Sequence, residues 1–229
     1  MVKNNIKNAC LVVIGNEILT GRTQDKNINH IAKELFKVGI LLNYVCVIPD
    51  IQKTIVKEIR RLKKDFDYVI TTGGIGPTHD DITAESISFA VKREYKLHQG
   101  AFKELIKYYK KIKSELTDAR KKMAYMPSGS KLIKNKVSGA PGFNIENIYV
   151  FAGIPSIVEA MMREFVKSIK NKNKFYSSSI TTKLFESKIA NILAIAEKNF
   201  TDVSIGSYPI FDGKPRGVEI VISSLANKK

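Results

Sequence analysis

The stretch Tyr68-Val69-Ile70-Thr71-Thr72-Gly73-Gly74-Ile75-Gly76-Pro77-Thr78-His79-Asp80-Asp81-Ile82-Thr83 decides how this chain is read. Tyr68–Thr72 is a short β-branched run, as expected of a strand buried on both faces. Gly73, Gly74, Gly76 and Pro77 end it, and Thr83 opens a helical pattern reaching about Val91. Strand, glycine-rich loop and helix form the unit from which parallel α/β sheets are built. The glycines let backbone amides approach a phosphate closely, and the helix turns its amide-rich N-terminus to the same point. Neither a P-loop nor a dinucleotide fingerprint is present.

The same rhythm extends outward. Residues 9–14 form an unbroken apolar strand. Residues 25–38 read as a helix whose stripe is Ile28, Ile31, Ala32, Leu35 and Phe36, with Gly39 as its stop. Ile40–Ile48 is a second strand, and residues 50–64 a second helix with Ile51, Ile55, Ile59 and Leu62 as its apolar face. Downstream, residues 100–123 read as one long basic helical region and residues 149–152 as a buried strand. Pro155 suits the first position of a helix running to about Ile169. The alternation predicts a three-layer α/β/α domain with a mostly parallel sheet over residues 1–170. After the polar linker Asn171-Lys172-Asn173-Lys174 come strand (176–184), helix (Glu186–Asn199), strand (203–208), an Asp212-Gly213-Lys214-Pro215 turn and strand (217–223). These predict a small α/β extension over residues 171–229.

Composition narrows the function classes. At 229 residues the chain can bury a core without staples, and 44% hydrophobic against 26% charged residues is a globular balance. The two cysteines, Cys10 and Cys46, sit in apolar runs with no zinc spacing, which points to small core residues and a reducing cytoplasm. No apolar run is long enough to span a bilayer. The N-terminal lysines and apolar stretch run into Asn16-Glu17 without a cleavage site, so a first strand is expected there, not a signal peptide. The net charge of +16 invites a nucleic-acid reading, but its source is lysine spread over helix faces, with few arginines to read bases. A solvated basic surface accounts for it, and a nucleic-acid partner is not expected.

In an open parallel sheet, ligands bind beyond the carboxyl ends of the strands. Three loops leave such ends: Gly15-Asn16-Glu17 onward, Gly73 to Thr83, and Gly153-Ile154-Pro155-Ser156. Asp80 and Asp81 stand in the glycine loop, where they could hold a divalent cation shared with a phosphate. On spacing alone the loop reads equally as a tight turn, with Asp81 as a helix cap. Glu17 reads as a solvated loop acid, Asp50 as a cap for the helix from Ile51, and His79 as a group that orients a neighbour. Met161 and Met162 read as helix core.

These residues resemble a family. Gly15-Asn16-Glu17-Ile18-Leu19-Thr20-Gly21, followed by Gln24-Asp25-Lys26-Asn27, is similar to the entry motif of CinA-like (competence/damage-inducible protein A-like) proteins. The Gly76-Pro77-Thr78-His79-Asp80-Asp81 loop resembles theirs and that of the N-terminal domain of eukaryotic-type FAD synthases. Gly139-Ala140-Pro141-Gly142-Phe143, Ala152-Gly153-Ile154-Pro155-Ser156 with Glu159-Ala160-Met161, and Val203 to Pro209 follow the same group. The resemblance implies a molybdopterin-binding (MoaB/Mog-like) domain with a small C-terminal α/β extension. It implies Asp81 and Asp50 as catalytic positions. It also implies Gly15, Gly73, Gly74, Gly76, Thr78, Gly153, Pro155 and Ser156 around a phosphate, with Asp80, Asp81 and Glu17 at a magnesium or cobalt ion. The expected activity is a divalent-metal-dependent pyrophosphatase on ADP-ribose-type or FAD-type compounds. Molybdopterin binding with adenylyl transfer is the alternative, and a non-catalytic binding module a remote one. A homo-oligomer, dimer or trimer, is implied too. Asn16 departs from the family's usual aspartate. No nicotinamide-nucleotide deamidase or FAD synthase domain is expected in this chain.

Overall fold

The computed structural model describes residues 6–169, 173–201 and 203–227. The described residues divide into two compact units, one holding residues 7–35 and 40–169 and the other residues 6, 36–39, 173–201 and 203–227.

The larger unit begins with β1 (Lys7–Ile14), a one-turn helix α1 (Asn16–Leu19), α2 (Asn27–Lys37), β2 (Ile40–Ile48), α3 (Gln52–Asp65), β3 (Tyr68–Thr72) and α4 (Thr83–Val91). Then follow β4 (Tyr95–Leu97), α5 (Gln99–Lys111), α6 (Asp118–Lys121), β5 (Tyr125–Pro127), β6 (Lys131–Ile133), β7 (Gly142–Ile145), β8 (Ile148–Phe151) and α7 (Pro155–Ser168). Six strands make one sheet in the order β2-β1-β3-β8-β7-β6, and β4 pairs with β5 separately. The first four strands of that order are parallel, β7 runs antiparallel to β8, and β6 pairs antiparallel with β7. From β1 the chain moves to one side for β2 and to the other for β3, so the switch point lies between β1 and β3. The registers Ile14↔Ile48, Val13↔Thr72 and Thr72↔Phe151 bring the parallel strands to a common carboxyl edge.

Helices cover both faces because the strands are apolar on both. Cys10, Val12, Ile14, Val69, Ile148 and Val150 pack with Ile55, Ile59 and Leu62 of α3, Ile87 of α4 and Leu105 of α5. The alternate residues face the other way, as period two requires. There Phe165 of α7 meets Tyr68, Tyr149 and Phe151 edge-on, at centroid distances of 5.8, 4.7 and 6.3 Å. Met161 and Met162 are fully buried, as their spacing predicts. Burial pushes the Cys10 thiol up to about 12, which suits an inert core group.

Two expectations are corrected. Residues 100–123 are not one helix: α5 ends at Lys111, Lys113 takes φ 51°, and Thr117 starts α6 by accepting the Arg120 amide. The Arg120 guanidinium fills the gap, stacking 4.5 Å from the Tyr109 ring centre and bonding to Ser114 Oγ and the Glu115 carbonyl. The strands β4 to β7 were also not anticipated. The β7–β8 turn carries Glu146 at φ 53° in place of a glycine. Asn144 compensates by donating to the Glu146 and Ile148 carbonyls.

The smaller unit is β9 (Asn173–Thr182), α8 (Glu186–Asn199), β10 (Val203–Phe211) and β11 (Pro215–Asn227). Its sheet is wholly antiparallel, in the order β10-β11-β9. Asn173 and Lys174, read as linker, open β9; Asn171 and Lys172 lie outside the described residues. Ile189 and Val218 are buried there, while Tyr176, Ile180, Ile192 and Phe211 are exposed.

Phe165 is the hinge of the second core layer. Phe165→Ala is expected to lower the unfolding free energy by roughly 3–5 kcal/mol in urea denaturation followed by circular dichroism. A loss below about 1 kcal/mol would contradict the layer described.

Candidate functional site

The three loops that leave β1, β3 and β8 meet at the carboxyl edge, and they meet backbone to backbone. Gly73 sits at φ 100°, and a Cβ there would stand 2.1 Å from the Ile14 carbonyl oxygen. The Gly73 amide donates to the Phe151 carbonyl at 3.2 Å, and a Cβ on Gly153 would be 3.4 Å from the Gly73 Cα. A side chain is excluded at Gly73, whereas a Cβ at Gly153 would make ordinary contact. Gly74, at φ 66°, is closed in by Thr83, whose amide donates to the Gly74 carbonyl at 2.9 Å and so seals the base of the loop.

Beneath the junction lies a cavity of about 70 Å³ whose lining includes Val13, Glu17, Asn27, Thr72, Gly73 and Pro155. This is phosphate-sized and well below the volume that encloses a whole cofactor, so a pterin or dinucleotide would have to extend beyond it. The Thr72 and Thr83 hydroxyls are buried, with no hydrogen-bond partner among the described residues. Asn27, only 6% exposed, donates its Nδ2 to the Gly153 carbonyl at 2.8 Å and so ties the start of α2 to the third loop.

The glycine loop continues past this cavity. Among the described residues, the Gly74, Ile75 and Gly76 amides donate to no other group. Thr78 gathers both aspartates: its hydroxyl lies 2.5 Å from Asp80 Oδ1 and 2.5 Å from Asp81 Oδ2, and its amide donates to Asp81 Oδ2 at 2.8 Å. Asp81 is therefore not a helix cap; Ile82 holds the cap position without a side-chain bond. The Asp81 carboxylate lies against Gly76, where a Cβ would stand 2.6 Å from Oδ2. Hydrogen bonding from Thr78 holds Asp80 below the usual carboxylate range. Lys122 steadies the loop by donating Nζ to the Thr78 carbonyl at 2.6 Å. His79 is exposed.

Asp50 is also not a cap, since Ile51 takes that position with no side-chain bond. Asp50 Oδ2 instead accepts the Asn16 amide at 2.9 Å, tethering the first loop to the end of β2. Burial raises its pKa, opposed by the Asn16 bond and reinforced by the charges of Glu17 and Asp80. The expected three-carboxylate set is not assembled: Glu17 folds over Gly15, and among the described residues no three His, Cys, Asp or Glu side chains converge on a metal position. What remains is the Asp80–Asp81 pair. That suits a magnesium-like ion, which takes one or two carboxylates and completes its shell with water and substrate phosphate. Of the other expected residues, Gly73, Gly153, Pro155 and Glu17 line the cavity, while Ser156 is exposed and outside it. Sequence reasoning missed Asn27, Thr72, Thr83 and Lys122. Asn27 carried a signal as the last residue of the first motif, and Thr72 and Thr83 as the two ends of the glycine loop, whereas Lys122 carried none.

A mostly parallel sheet with a glycine loop, two loop aspartates and two further loops at its switch point defines a doubly wound α/β domain with a ligand-type edge. Residues 10–171 match the family model described as "Probable molybdopterin binding domain", and residues 174–229 match that of the FAD synthase middle domain. A protein of Archaeoglobus fulgidus is 33% identical over 219 residues, covering 96% of this chain and 91% of its own. One of Pyrococcus furiosus is 37% identical over 229 residues, covering 92% and 88%. The crystal structure of CinA from Thermoplasma acidophilum, whose function is described as unknown, is 31% identical. It matches with a TM-score of 0.65 over 71% of this chain and 98% of its own. The chain belongs to the CinA-like family of molybdopterin-binding-domain proteins. Among the described residues no helix is long and apolar enough to cross a membrane.

Asp50→Ala leaves the Asn16 amide without its acceptor and is expected to cost about 1 kcal/mol, measured by chemical denaturation. Asp50→Asn keeps an acceptor and loses the charge. Because the folded pKa is raised, the wild-type carboxyl favours folding most below the ordinary carboxylate range and loses that contribution as pH rises through the raised value. Asp50→Asn should therefore gain stability relative to wild type between acidic and neutral pH. A constant difference across that window would refute the raised pKa.

Proposed function

We propose that this chain is a divalent-metal-dependent pyrophosphatase acting on dinucleotide pyrophosphates of the ADP-ribose or FAD type. The observation that carries the reading is the run of unused amides at Gly74, Ile75 and Gly76 beside the Asp80–Asp81 pair. Amide donors held in place before the reaction stabilise charge developing on phosphate oxygens. A divalent cation bound by Asp80 and Asp81 would supply Lewis-acid polarisation of the phosphoryl group. Thr78 orients both carboxylates, Lys122 and Asp81 hold the loop, and Asp50 positions the first loop through Asn16. Glu17, Asp50 and Asp80 leave this edge locally anionic, so a pyrophosphate needs a cation to approach it. The match of residues 174–229 to the FAD synthase middle domain supports including flavin dinucleotides among the substrates.

A second reading, molybdopterin binding with adenylyl transfer, is favoured by the family match over residues 10–171. It would place Asp50 and Asp81 around a nucleotide-bound magnesium. Asp50 is committed to the Asn16 amide, which weighs against that role.

Purified protein incubated with ADP-ribose or FAD and magnesium or cobalt is expected to release AMP, and EDTA should stop it. Asp81→Asn, which removes one of the two proposed metal-binding carboxylates, should lower kcat by on the order of 100-fold with the fold intact. No AMP release with any metal, together with ATP-dependent AMP loading of molybdopterin, would replace the first reading with the second.

A further inference from the structure

A cavity of about 370 Å³ lies between the second half of α5 and the segment joining β6 to β7. It shares no lining residue with the carboxyl-edge cavity, and its volume falls within the roughly 300–1,000 Å³ range of small-molecule pockets. Lys107, Lys111, Lys134 and Lys136 line it with one carboxylate, Glu104, and the charge of Glu164 acts on Lys134 and Lys136 from outside the lining. None of the four lysines forms an ion pair with a described residue. Four ammonium groups around one concavity repel one another, and an anion between them would relieve that repulsion.

The walls are fixed rather than soft. Asn135, 7% exposed, donates Nδ2 to Ser138 Oγ at 2.6 Å and to the Ala140 carbonyl at 3.1 Å. Its Oδ1 accepts the Val137 and Ser138 amides at 2.8 and 3.3 Å, so its whole amide is spent on shaping the segment. Gly139, at φ 71°, presses against Tyr108, whose Cβ and Cγ would lie 2.3 Å from a Cβ there. The Tyr108 hydroxyl donates to the Val137 carbonyl at 3.2 Å, and its ring meets Tyr109 edge-on at 5.4 Å. With Leu132 and Pro141, Tyr108 gives the cavity an apolar wall facing its lysine rim.

A bare phosphate would leave that wall and most of the volume unused. We propose that this cavity is a second ligand site, for a nucleotide-sized phosphorylated compound of the nucleoside diphosphate class. The phosphates meet the lysines, and the base rests on the Tyr108–Leu132–Pro141 wall. Glu104 offers an acceptor for a sugar hydroxyl. The site is independent of the hydrolase reading, because it needs neither Asp80–Asp81 nor a metal.

Calorimetric titration of the full chain with ADP in EDTA tests this, with thermal melting to confirm that each variant is folded. Wild type should bind ADP, and the exposed pair Lys134→Ala/Lys136→Ala should weaken binding about tenfold or more. Asp81→Asn should leave the affinity within about twofold, and inorganic pyrophosphate should bind at least about tenfold more weakly than ADP. The proposal is overturned by any of four results: no ADP binding by wild type, unchanged binding in the lysine variant, equal loss in Asp81→Asn, or pyrophosphate binding as tightly as ADP.

Discussion

The candidate site rests on a contact in which no side chain takes part. Where β3 ends, Gly73 lies against the Ile14 carbonyl of one neighbouring strand and bonds to the Phe151 carbonyl of the other, with Gly153 packed behind it. A methyl group at Gly73 would have to occupy the position of a backbone oxygen. Because backbone cannot move aside as a flexible side chain can, this one residue fixes the spacing of all three loops. Gly74 extends the constraint by turning the loop back onto Thr83, and among the described residues the next amides have no acceptor. The loop shape therefore follows from sheet geometry, and the chemistry follows from the loop shape.

Much of this was legible. The apolar runs that became β1 and β3 are buried on both faces, and such runs have few other uses in a chain this size, while β2, at the sheet edge, leaves Tyr44 and Val45 exposed. The glycine loop announced its place at a strand end through composition alone. What sequence could not show is how carboxylates are spent. Asp50 and Asp81 both precede helices and both read as caps, yet each bonds elsewhere, to Asn16 and to Thr78. Those bonds depend on where β1 stops relative to β2 and on the path of the loop, which are tertiary facts. Glu17 shows the same point in reverse, since its proximity to Gly15 removes it from the aspartate pair. The missed hairpin has a local cause: Glu146 takes the left-handed conformation that sequence rules reserve for glycine, supported by Asn144. The break after α5 did carry a signal, Thr117-Asp118, which the run of lysines around it obscured.

The distribution of charge separates two kinds of basic surface. Among the described residues, exposed helix pairs such as Lys121–Asp118 and Lys167–Glu164 contribute little to stability. The lysines around the Tyr108 cavity are different because they share a concavity with shaped walls and outnumber its one lining carboxylate, Glu104. The carboxyl-edge loops are different again, being locally acidic on a protein of net charge +16. On the proposed reading, phosphate would meet backbone amides and a cation at that edge, with Lys26 in the cavity lining and Lys122 bonded to the Thr78 carbonyl.

The central claim is that the Gly74–Gly76 amides receive phosphate. Amide chemical-shift mapping by NMR during titration with inorganic pyrophosphate and magnesium addresses it residue by residue. The largest shifts are expected at Gly74, Ile75 and Gly76, with smaller ones at Thr78 and Asp81. Saturable binding that leaves those three amides unmoved would contradict the account.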